Sequence, residues 1–93
     1  MSAQLSVLNP IHSPETPAAR AHRLMDEARL AAAEQIDALE ASIAVVVRLA
    51  EEIAQGGDVY PAGARELSRR LSEEMGFKSQ TLEAIVRNSA GRR

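Results

Sequence analysis

The sequence has no cysteine and no tryptophan, and its only aromatic residues are Tyr60 and Phe77. Without cysteine there is no disulfide scaffold, no thiolate zinc site and no thiol nucleophile, and the composition suits a reducing compartment. Without large aromatic side chains, a chain of 93 residues must build its core from smaller ones. Apolar residues make up 45%, but alanine is the commonest of them. Burial energy scales with the apolar area removed from water, so a monomer of this size and composition is marginal and self-association would stabilise it.

Long apolar runs are also missing. The most apolar segment, "IAVVVRLA" at residues 43–50, is interrupted by Arg48 and falls far short of the ~20 residues that span a bilayer. The opening "MSAQLSVLNPIHSPETP" has no basic region leading into an apolar stretch, so no secretory leader is expected and the reading is cytoplasmic. Charge of one sign is not abundant, with a net charge of −2. Residues 1–57 hold four basic and eight acidic side chains (−4), and residues 58–93 hold seven and five (+2). Only the C-terminal part is suited to face an anion such as nucleic acid.

Proline is confined to positions 10, 14, 17 and 61. The first three define an N-terminal arm, residues 1–17, that cannot propagate a helix, because each ring removes a donor and restricts the preceding residue. Thr16 is a good N-cap and Pro17 suits the first helical position. From 18 to 55 there is neither proline nor glycine, and strong helix formers dominate. Ala32, Ile36, Leu39, Ile43, Val46, Ala50 and Ile53 recur at alternating steps of four and three, a heptad seam. Glu34, Asp37, Glu40, Glu51 and Glu52 form a solvated acidic face. A helix of this length would run roughly 55 Å, more than one small globule covers.

Gly56 and Gly57 end that helix, and Asp58 is a candidate cap for the next. The return arm, from about 61 to 88, places Ala64, Leu67, Leu71, Met75, Leu82, Ile85 and Val86 at helical spacing. Glu66 stands three and four residues from Arg69 and Arg70, pairs that favour a helix without specifying a function. Within the arm, Gly76 followed by Phe77 has the form of a Schellman stop, with Ser79 ready to cap a new helix. The expected fold is therefore all-α. A long helix and an antiparallel return arm, kinked or split near Gly76, make a helical hairpin over 18–90, with a basic tail at 91–93. Two copies are expected to pair into a dimeric bundle through Ile36, Leu39, Ile43, Val46 and Ile53.

If the arm splits, residues 68–87 resemble the bacterial helix-turn-helix pattern. Ser72 is the small residue of the first helix, Gly76 opens the turn, and Leu82 and Ile85 lock the crossing. That resemblance implies a DNA-binding regulator in which Arg69 and Arg70 flank the phosphate backbone. Lys78, Ser79, Gln80, Thr81 and Arg87 would then lie on or near the recognition helix. Glu73, Glu74 and Glu83 beside that face repel phosphate, and the long heptad helix replaces the usual short third helix. The hairpin reading therefore ranks ahead of the DNA reader.

Other chemistry is poorly provided for. His22 and Asp26 share a helix face, but two ligands do not make a metal site and Arg23 and Arg29 offer ion pairs instead. The acidic residues of the long helix lack a Glu-x-x-His partner. "GGDVYPAG" lacks the Lys-Ser/Thr of a phosphate loop, and no serine, histidine and acid are arranged with an oxyanion site. No catalytic residue, metal or cofactor is expected. The expected function is a small intracellular interaction or regulatory module. Its partners are a second copy of itself and a protein target, with nucleic acid as the alternative. An acidic helix face is a poor match for an anionic membrane.

Overall fold

The computed structural model describes residues 14–90, all of them helical or in short connections. Helix α1 is Pro17–Ala54, a 3-10 turn is Gly57–Val59, and helix α2 is Ala62–Ala90. The protein is all-α over the described residues. The expected arm at 1–17 lies outside them except for its last four residues, and the tail at 91–93 lies wholly outside.

The start of α1 follows its sequence signals. The Ala19 N–H donates to Thr16 Oγ1 at 3.0 Å and the Arg20 N–H to the Thr16 carbonyl at 2.9 Å. Thr16 thereby satisfies two of the donors that a helix start leaves open. The end is equally local. The Gly56 N–H donates to the Ile53 carbonyl at 3.1 Å, and Gly57 adopts φ +79°, a left-handed conformation that favours glycine. Tyr60 lies over Gly56 so closely that a Cβ there would overlap the ring.

Asp58 does not cap α2. It sits inside the 3-10 turn, and the first turn of α2 begins with the Arg65 N–H donating to the Pro61 carbonyl at 3.0 Å. Arg65 itself closes the connection. Its Nε donates to the Tyr60 carbonyl at 3.2 Å, and its guanidinium stands 3.7 Å from the Asp58 carboxylate.

The split at Gly76 is overturned: α2 runs without interruption from Ala62 to Ala90. Gly76 does not have a positive φ, and Phe77 is largely exposed, so it does not fold back towards Leu71 as a helix stop requires. Thr81 Oγ1 donates to the Phe77 carbonyl at 3.1 Å, a bond between successive turns of one helix. The reason is cooperative packing. Ser72, Met75, Ser79, Leu82 and Val86 are all buried or half-buried at steps of three and four. Breaking the helix would throw the last three off that line, at a greater cost than the ~1 kcal/mol penalty of an interior glycine.

The chain divides into two units, residues 1–34 and 35–93. Every described residue of the first is exposed, and burial begins in the second, at Ile36. There the inner line of α1 is Ile36, Glu40, Ile43, Val47, Ala50 and Ala54. That of α2 is Arg65, Ser68, Ser72, Met75, Ser79, Leu82 and Val86. Only Ile43, Ala50 and Ser72 fall in the buried class among the described residues, and no side chain is fully enclosed. Ser72 is satisfied locally, its Oγ donating to the Arg69 carbonyl at 2.9 Å.

Candidate functional site

Helical phase separates two flanks in the second unit. An α-helix turns about 100° per residue, so each inner line has a flank on either side. On one side α1 and α2 together line an open groove, with Ala44, Arg48 and Glu51 from α1 and Gly76, Gln80 and Glu83 from α2. Its polar side chains are Arg48, Glu51, Gln80 and Glu83, set among Ile43, Ala44 and Val47. The opposite flank of α1 carries Leu39, Val46 and Leu49, and the opposite flank of α2 carries Leu67, Leu71 and Ile85. These six large apolar side chains are 37–61% exposed.

The five residues expected to form an oligomer seam are thus divided. Ile43 is buried and Ile36 and Ile53 are half-buried along the inner line, whereas Leu39 and Val46 are exposed. The actual inner line is rotated towards Glu40, Val47 and Ala54. Facing it, Ser68, Ser72, Gly76 and Ser79 give α2 a narrow line of small residues, all of them buried or half-buried. Large apolar positions dominate a periodicity count, so this line of serines was missed. Its signal in the sequence is the spacing of small residues, 68, 72, 76 and 79.

The residues proposed to contact DNA do not converge. On an unbroken helix, Lys78, Ser79, Gln80 and Thr81 are consecutive and point in four directions about 100° apart. Ser79 is half-buried on the inner line and Gln80 lines the groove. The two arginines are held on their own helix. Arg69 Nε donates to Glu66 Oε1 at 3.3 Å and Nη1 to Glu73 Oε2 at 3.1 Å, while Arg70 Nε stands 3.7 Å from Glu66. The hydrogen bond from Arg69, ahead of its charge, holds the Glu66 carboxyl below its ordinary value, and Glu66 in turn raises Arg69. Arg87 occupies the last turn of α2, where a cation complements the helix dipole.

A second charged cluster stands at the start of α1. Arg23 forks onto Glu15 at 2.9 and 3.0 Å and reaches Glu27 at 3.3 Å. Its hydrogen bond lowers the Glu15 carboxyl, and Glu15 is the main cause of the upward shift of Arg23. Arg23 turns to these glutamates and forms no ion pair with Asp26. Among the described residues no three His, Asp or Glu side chains gather in a way that could hold a metal, and no helix is long and apolar enough to cross a membrane. No protein-family model, curated protein or solved structure matches this chain.

Proposed function

We propose that this chain is a small, non-enzymatic intracellular interaction module that works by helix-on-helix contact and needs no cofactor. In this reading residues 35–90 close as an antiparallel helical hairpin, and two copies assemble through its apolar flank into a bundle. The observation that carries the proposal is the imbalance of burial. Among the described residues two apolar side chains are buried, whereas Leu39, Val46, Leu49, Leu67, Leu71 and Ile85 remain exposed on the flank away from the groove. A contiguous apolar face of this kind marks a protein contact, and an isologous pairing is the simplest way for a short chain to cover it. A protein target could then be bound by the assembled module or by exchange of one copy.

Sedimentation equilibrium of the purified chain tests the proposal. A dimer or higher oligomer is expected at micromolar concentration. A monomer up to a few hundred micromolar would remove the basis of the reading.

A further inference from the structure

The first 18 residues of α1, positions 17–34, are helical and every one of them is exposed. Most helical stability in proteins comes from packing an amphipathic face, so an exposed segment of this length gains from covering one. This segment has such a face. Leu24 and Met25 are about half-exposed on the same side as Ala21, Ala28 and Ala32. Helical phase carries that stripe through Gln35 into Leu39, Val46 and Leu49, the flank that α2 leaves uncovered.

Building on the self-association proposed above, we infer that its occupant is residues 17–34 of a second copy, packed antiparallel. Leu24 and Met25 of each copy then seat against Val46 and Leu49 of the other, and each two-helix unit gains a third helix.

Three features favour this pairing. The midpoint of α1 lies between Gln35 and Ile36, and burial among the described residues begins at Ile36. A two-fold axis near the midpoint therefore lays the uncovered half of each helix along the half-covered half of its mate. Side-chain size also matches, since an alanine-rich stripe meets Val46 and Leu49, where a parallel pairing would set small against small and large against large. Charge agrees as well: an antiparallel pairing about 35.5 sets Arg20 within one residue of the level of Glu52 of the other copy, twice over.

The area is adequate too. A segment of 18 residues is ~27 Å long and ~10 Å wide, so giving one segment and receiving another covers a footprint of ~540 Å² per copy. Corrugation and the apolar flank of α2 add to this, approaching the ~800 Å² per partner of a stable complex.

Distance measurement between spin labels in the full chain tests the inference, and the absence of native cysteine makes labelling clean. Ala19→Cys, Glu34→Cys and Arg48→Cys, each alone, place one label per copy on the outer faces of α1. An axis near 35.5 predicts a V-shaped profile: below about 20 Å at 34, roughly 38 Å at 48 and roughly 50 Å at 19, from a ~1.5 Å rise per residue. Uniformly short distances would show a parallel pair. A minimum at 48 would show pairing through the two-helix units alone. Either result overturns the inference while leaving the dimer in place, whereas a monomer would overturn the self-association on which it rests. Met25→Asp, at a half-exposed position, should raise the dissociation constant at least tenfold. A change below twofold would also overturn the inference.

Discussion

Replacing Gly76 with alanine tests whether α2 is one helix. Gly76 lies mid-helix without a positive φ, and a Cβ built there meets nothing within 4 Å. The substitution therefore introduces no clash. It narrows the unfolded ensemble and gains helix propensity, effects that together stabilise by about 1 kcal/mol. For a domain of this size that raises the melting temperature by roughly 4–8 °C. If residue 76 instead opened a turn in a left-handed conformation, alanine would cost about 1–2 kcal/mol and the melting temperature would fall. The two structures thus predict opposite signs. Gly57→Ala is the internal control: its φ of +79° makes any side chain there strained, so this variant should melt lower. Thermal unfolding followed by circular dichroism at 222 nm, at one fixed protein concentration because association shifts the midpoint, reads both. A Gly76→Ala protein that melts below the parent would refute the continuous helix.

Ile43→Ala, which truncates the largest buried side chain of the second unit, should cost about 2–4 kcal/mol in urea unfolding; a loss under 1 kcal/mol would show that this line is not the core. Leu71→Asp on the apolar flank should raise the dimer dissociation constant by tenfold or more in sedimentation, whereas Glu51→Ala on the groove side should leave it unchanged. Glu15 and Glu66 have lowered carboxyl pKa values. Their stabilisation is thus present above the unfolded value of about 4.3 and is lost as pH falls through the folded values. The melting temperature should drop between about pH 5 and pH 3, and Glu15→Gln with Glu66→Gln should flatten that drop. With no recognition turn in α2, fluorescence anisotropy should show no saturable binding to mixed-sequence duplex DNA even at low salt. Tight, salt-sensitive binding weakened by Arg69→Ala with Arg70→Ala would reverse that expectation.

What the amino-acid sequence determines here is local. The cap at Thr16, the left-handed Gly57, the absence of proline and glycine between them and the charge pairs around Arg69 act within a turn or two of chain, so they were legible without a fold. The helix stop at Gly76 was legible too, yet the sequence signal was outweighed. Its penalty is small and local, whereas the line from Ser72 to Val86 is shared among many residues and holds only if the helix continues. Tertiary packing also chose which part of a broad stripe to bury. Ile36, Leu39, Ile43 and Val46 look equivalent in a heptad count, because periodicity shows only that a side is apolar. Ile43 and Val47 share a groove with Gly76 and Ser79 of α2 and are buried or half-buried, whereas Leu39 and Val46 are exposed. That choice depends on the shape of a surface more than twenty residues away along the chain. For this reason it was decided by the folded structure and not by the pattern of either helix alone.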